Sequence, residues 1–230
     1  MPRDHGWLAR LKGKFIVFEG PDGSGKTTQF RRLLALCADN AVLVCEVREP
    51  GGTGVGEKIR QILLDHAHHD MVLRCEMLLY MASRAQLVEQ RIRPALGAGR
   101  LVLADRFVSS TLAYQGSAGG LPRDEILAAA QIATHGTTPH LVVIFDVDER
   151  TAAARISPLL GDDAGPAGKT RETSGPDRME AKGREFHRKV RAGYLEQAAH
   201  DPAGHLVVDA SKDPEQVWAQ LLEGLRAKFP

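Results

Sequence analysis

The chain has 230 residues, enough for one α/β domain with a sizeable core, and no Pro/Gly/Ser-rich linker divides it before residue 157. Its 30 Lys and Arg side chains nearly balance 29 Asp and Glu, so bulk charge gives no support for a nucleic-acid or membrane partner. Cys37, Cys45 and Cys75 lie singly in apolar contexts with no C-x-x-C pair, and no apolar stretch reaches the length of a signal peptide or membrane span; a cytoplasmic protein is expected.

Residues 1–13 read as a ragged arm. Residues 15–18 are an apolar run too short for a typical helix, hence a buried first strand. After it comes Gly20-Pro21-Asp22-Gly23-Ser24-Gly25-Lys26-Thr27-Thr28, containing the pattern G-x-x-x-x-G-K-T in its strand–turn–helix context. Glycines there let successive N–H groups point at phosphate oxygens, and the helix start adds its positive end. Lys26 suits the β- and γ-phosphates of a nucleoside triphosphate, and the Thr27 hydroxyl suits Mg²⁺. A helix is expected over 27–39 and a second strand over 41–46. That strand runs into Arg48-Glu49-Pro50-Gly51-Gly52-Thr53, a loop where open α/β sheets place ligands.

Further helices are expected over 56–64, 70–96, 122–135, 177–198 and 214–228, with strands over 101–104, 141–146 and 206–209. His66, His68 and His69 have no carboxylate or cysteine at a convincing ligand spacing and read as a surface loop. Residues 157–175 are rich in Gly, Pro and Asp and carry Lys169 and Arg171; in a phosphate-loop protein such an insertion reads as a mobile lid, taken as 157–178. The alternation of elements predicts an α/β fold of the P-loop NTPase kind. It is a three-layer α/β/α sandwich, with a five-stranded, mostly parallel sheet and a lid, in a single domain over 1–230.

Asp22 sits among phosphate-binding amides, where a carboxylate needs an offsetting partner; Mg²⁺ or an acceptor group would supply it. Asp105 closes the third strand as a carboxylate suited to holding Mg²⁺ through water, and Arg106 follows it. Arg48 and Arg106 at the carboxyl ends of strands suggest a second anion, a monophosphate held by guanidinium groups. Taken singly, each arginine also reads as a salt-bridge partner. Transfer between two phosphates needs in-line placement and positive charge on the migrating oxygens, not a dedicated base.

The loop 18–28, the segment Arg48-Glu49-Pro50-Gly51-Gly52-Thr53, the stretch Asp105-Arg106-Phe107-Val108-Ser109-Ser110-Thr111-Leu112-Ala113-Tyr114-Gln115-Gly116 and the helix Leu79-Tyr80-Met81-Ala82-Ser83-Arg84 resemble the ordered signatures of the thymidylate kinase family. The resemblance implies transfer of the ATP γ-phosphoryl to dTMP, with Mg²⁺, and a homodimer formed through helices such as 70–96 and 122–135. It implies that Tyr80 stacks on the thymine, although helical spacing alone would make it core, and that Arg84 reaches the base edge or phosphate region. Ser110, Thr111 and Gln115 would line the base pocket, Tyr114 would crowd the sugar 2′ position, and Arg48 and Arg106, beside Glu49 and Pro50, would hold the acceptor phosphate. Arg155 and Ala210 fit the adenine environment. Lid charge would come from Arg171 and Arg178, in a lid longer and poorer in arginine than the family pattern. Pro21 stands where an aliphatic residue is usual. The alternatives are a kinase of another pyrimidine nucleotide or a deoxynucleoside, and a nucleotide-dependent switch or binding module; no N-K-x-D segment supports a guanine-specific switch.

Overall fold

The computed structural model describes residues 6–156, 178–179 and 182–230. Strands β1 (Phe15–Glu19), β2 (Val44–Arg48), β3 (Leu101–Asp105), β4 (Leu141–Asp146) and β5 (His205–Asp209) form one sheet in the order β2-β3-β1-β4-β5. Every neighbouring pair is parallel. All five residues of β1 are buried because the strand is central and covered on both faces. Ile16 and Phe18 point into one core with Leu33, Phe145 and Leu221, and Phe15 and Val17 into the other with Ile92, Phe107 and Tyr194. Each such side chain contributes about 1.5–3 kcal/mol on burial.

Helix α1 (Lys26–Asp39) and helix α9 (Pro214–Lys228) cover the first face; Asp213 caps α9 by accepting from the N–H groups of Glu215 and Gln216. Helix α2 (Gly54–Leu64) starts at Thr53, whose hydroxyl accepts from Gly56 N at 2.9 Å. Helix α3 (Leu73–Leu87) runs through a widened turn, Val88–Ile92, into α4 (Arg93–Gly97) and covers the second face. A third cluster, with Met77, Met81 and Ile126, joins α3 to α6 (Arg123–Thr134). Helix α7 (Glu149–Ile156) follows β4, and α8 (Arg184–His200) precedes β5.

Three sequence expectations shift, and one stretch left unassigned from sequence proves helical. The expected N-terminal arm contains a helical turn, Gly6–Leu11, whose Trp7, Leu8 and Leu11 are buried in the first core. The second strand starts at Val44, not residue 41, because Ala41 turns left-handed (φ 54°) to close α1 and Val42 N bonds back to Cys37 O. Helix α8 begins at Arg184; Arg178 and Met179 form a turn ahead of it. Finally, the stretch after Arg106 is helical: α5 (Val108–Thr111) continues as a widened turn, Leu112–Ala118. There α8 approaches so closely that a Cβ on Gly193 would lie 2.4 Å from Ser117 Oγ.

Candidate active site

The carboxyl ends of the strands share one edge: Phe18 and Arg48 both align with Asp105, and Glu19 with Ile144. The phosphate-loop sequence sits on this edge. Gly20 (φ 142°) passes so near β4 that a Cβ would meet Phe145 O at 2.7 Å, and Gly23 (φ 79°) so near α7 that one would meet Ala152 O at 2.4 Å. Pro21, lacking an N–H, instead accepts from Ser24 N at 3.2 Å and closes a turn. The Ser24 hydroxyl is buried without a partner. Gly25 caps α1, which starts with Lys26, Thr27 and Thr28.

Lys26 is ion-paired with Asp105, and Arg106 Nη2 with Asp22 Oδ1 at 2.9 Å. Burial pushes the Asp22 carboxyl up, but the Arg106 and Lys26 charges outweigh it and hold the group below its usual range. Burial and the Arg106 charge push Lys26 below the usual lysine range, against the pull of Asp105 and Asp22. Arg106 adopts a left-handed backbone (φ 71°), rare for a side-chain-bearing residue. Its N–H is bonded to Phe18 O, and its guanidinium reaches Ser110, Tyr114 and Tyr194 at 3.3–3.4 Å. Beneath it lies Glu19, fully buried, which accepts from Phe107 N, Ser110 N, Ser110 Oγ and Tyr194 OH at 2.6–3.1 Å. Burial pushes Tyr114 up to about 12 and Tyr194 well above the usual phenol range, so both phenols remain donors.

A cleft of about 210 Å³ brings the predicted donor and acceptor residues together. Asp22, Lys26, Thr27 and Asp105 line one part of it, and Arg48, Glu49, Pro50, Tyr80, Arg106, Ser110, Thr111, Tyr114 and Gln115 the rest. Arg60, Leu64 and Met179 also line it and were not anticipated. Arg48 is engaged by Glu57, with both carboxylate oxygens at 3.0 Å. Arg84 lies behind the cleft wall, 1% exposed: it donates to Glu49 at 2.6 and 2.8 Å, to Phe107 O and to Thr111 Oγ1. Burial pushes Glu49 up to about 7, with Arg84 opposing.

On the donor side, Arg155 donates to Ala210 O at 2.7 Å, joining the two residues expected near an adenine. A wider cleft of about 940 Å³ lies between the loop (Pro21, Asp22), α7 and α8, lined by Arg150, Arg184, His187, Arg188 and Arg191. Arg191 is clasped by Asp146 at 2.6 and 2.9 Å. Arg171 and the rest of the expected lid up to residue 177 lie outside the described residues. Arg178 is described: it donates to Leu63 O at 3.1 Å and to Glu76 at 2.5 Å, on the acceptor-cleft side. Another groove, about 1030 Å³, runs along the free edge of β2 and shares Arg48 with the cleft. Arg91 reaches across to Glu46 O and Gly52 O there, and the phosphate loop takes no part in it, so it is not the reaction centre.

Sequence reasoning missed Glu19, Tyr194, Glu57 and Glu76. Glu19 carried a signal: a carboxylate ending a strand that is otherwise wholly apolar needs buried partners. Tyr194 carried none, since its helical spacing with Val190 and Ala198 reads as core.

The family model described as thymidylate kinase matches residues 18–221. A protein named thymidylate kinase from Symbiobacterium thermophilum is 43% identical over 203 residues, 88% of each chain. Those from Geobacillus sp. (strain WCH70) and Pelotomaculum thermopropionicum are each 42% identical, over 92% and 93% of this chain and 95% and 93% of their own. Together with the loop, the consecutive Asp105 and Arg106, and the cleft they share, these matches establish that the chain belongs to the thymidylate kinase family.

Proposed function

We propose that this member of the thymidylate kinase family transfers the γ-phosphoryl of ATP to dTMP, giving dTDP and ADP, with the residues that line the shared cleft. One observation carries the assignment: the phosphate loop and the Asp105-Arg106 segment face the same 210 Å³ space, so donor and acceptor phosphates would meet there. Lys26 and the loop amides hold the donor, with Arg155 and Ala210 on its adenine side. Arg106 and Arg48 hold the acceptor phosphate, which would replace Asp22 and Glu57 as their counter-charges. Tyr80, Ser110, Thr111, Tyr114 and Gln115 surround the nucleoside.

The donor set fits Mg²⁺: the Thr27 hydroxyl and the Asp22 and Asp105 carboxylates are all hard oxygen ligands on one cleft. Among the described residues no cluster of three His, Cys, Asp or Glu could hold a metal by itself; substrate phosphates would complete the shell. Bound Mg²⁺ would neutralise phosphate charge during transfer. A homodimer through α3 and α6 would cover Leu78 and Leu127, which are 57% and 41% exposed. The three free thiols fit a cytoplasmic setting. Among the described residues no helix is long and apolar enough to cross a membrane.

The test is ADP release with dTMP, dUMP, UMP, dCMP, dGMP and thymidine as acceptors. A clear preference for dTMP is expected. Preference for thymidine would contradict the assignment of Arg48 and Arg106 to an acceptor phosphate.

A further inference from the structure

Glu76 stands in the first turn of α3 with only 1% of its surface exposed, and a carboxylate so far from water needs partners on both oxygens. One oxygen accepts from Gln115 Nε2 at 2.7 Å and the other from Arg178 at 2.5 Å, while Lys182 Nζ lies 4.0 Å from the first. Gln115 is itself 2% exposed and lines the acceptor cleft. A primary amide has a donor end and an acceptor end, whereas a carboxylate can only accept. The NH₂ end of Gln115 must therefore face Glu76, and the carbonyl end is turned away from it. Among the described residues no donor bonds that carbonyl.

We propose that Glu76 is a positioning residue for base selection. It locks the Gln115 amide so that a hydrogen-bond acceptor, Oε1, addresses the nucleobase, and Arg178 keeps the carboxylate from turning away. Thymine and uracil carry N–H at N3, which meets this acceptor; cytosine carries a lone pair there, which opposes it. The 5-methyl group is not read by this contact, so Glu76 separates thymine and uracil from cytosine but not from each other. This inference rests on the proposed role of Gln115 in the base pocket.

The experiment measures kcat/KM with ATP for dTMP, dUMP and dCMP in the wild type, Glu76→Gln, Gln115→Ala and the double variant. A glutamine at 76 can donate or accept, which frees the Gln115 amide to turn. Glu76→Gln is expected to lower the dTMP-to-dCMP ratio by about tenfold or more, and to leave the dTMP-to-dUMP ratio within about twofold. On the Gln115→Ala background it should change neither ratio further. A ratio unchanged in folded Glu76→Gln, or an equal loss for all three acceptors, would overturn the inference. Where Glu76→Gln does not fold, Gln115→Ala decides alone: retention of the dTMP-to-dCMP ratio overturns the inference and its loss supports it. A wild type without preference for dTMP would instead count against the proposed function, while the response of the ratios to Glu76→Gln still tests this role.

Discussion

Replacing Arg84 by Met should expose how the acceptor wall is held together. Arg84 and Glu49 form a buried pair, with side-chain exposures of 1% and 3%, and removing one partner of such a pair typically costs about 3–5 kcal/mol. In a chain this long that lowers the melting temperature by roughly 6–20 °C. The loss also carries a pH signature. Burial already lifts Glu49 from 4.5 to about 7 in the presence of Arg84. A carboxyl raised in the folded state contributes stability below its unfolded pKa and loses it as pH rises through the folded value. In the wild type that loss falls between pH 4.5 and about 7 and then levels off. Without Arg84 the folded value rises further, so Arg84→Met should keep losing about 1.4 kcal/mol per pH unit above pH 7. Thermal melts from pH 6 to 9 should show the difference between variant and wild type widening above pH 7, and Glu49→Gln on the Arg84→Met background should abolish the widening. Parallel curves across that range, or a loss under about 1 kcal/mol, would refute the reasoning.

Lys26→Ala should lower turnover by about a thousandfold or more in the ADP-release assay while far-UV circular dichroism stays native, since the proposed role puts its charge on the transferred phosphoryl group. A loss under about tenfold would remove Lys26 from that role. In the absence of nucleotide, Gly23→Ala should melt several degrees below Gly25→Ala. Both glycines are left-handed (φ 79° and 78°), a strain worth about 1–2 kcal/mol for alanine. Only the methyl at 23 would also strike backbone, Ala152 O at 2.4 Å, and equal melting points would mean that α7 yields freely.

The phosphate-loop motif was legible because phosphate binding by a turn demands a fixed chemistry at fixed offsets, and Gly20, Gly25, Lys26 and Thr27 lie on the strand–turn–helix path that the motif implies. The strands were legible as short apolar runs, with one slip at Ala41, where a helix cap consumes residues whose hydropathy suits a strand equally well. The turn at Gly6–Leu11 escaped because Trp7, Leu8 and Leu11, within a six-residue turn, carry no period long enough to read. The acceptor half was harder for a different reason. Arg48, Arg84 and Arg106 were visible as cations, but their counter-charges Glu57, Glu49 and Asp22 are set by tertiary placement, and 35 residues of chain separate Arg84 from Glu49.

That pairing decides what the arginines can do. Arg84, with a carboxylate, a carbonyl and a hydroxyl already bound, is a fixed part of the wall. Arg106 holds Asp22 by a single bond at 2.9 Å and its other contacts are long, at 3.3–3.4 Å, so an incoming phosphate has bonds to gain there and few to break. The same residue sits in a strained left-handed turn supported by Phe18 O from the central strand, next to the Glu19 hub. The strain and the loosely held charge belong to one residue, which is where a structure would concentrate them if Arg106, rather than Arg84, meets the acceptor phosphate.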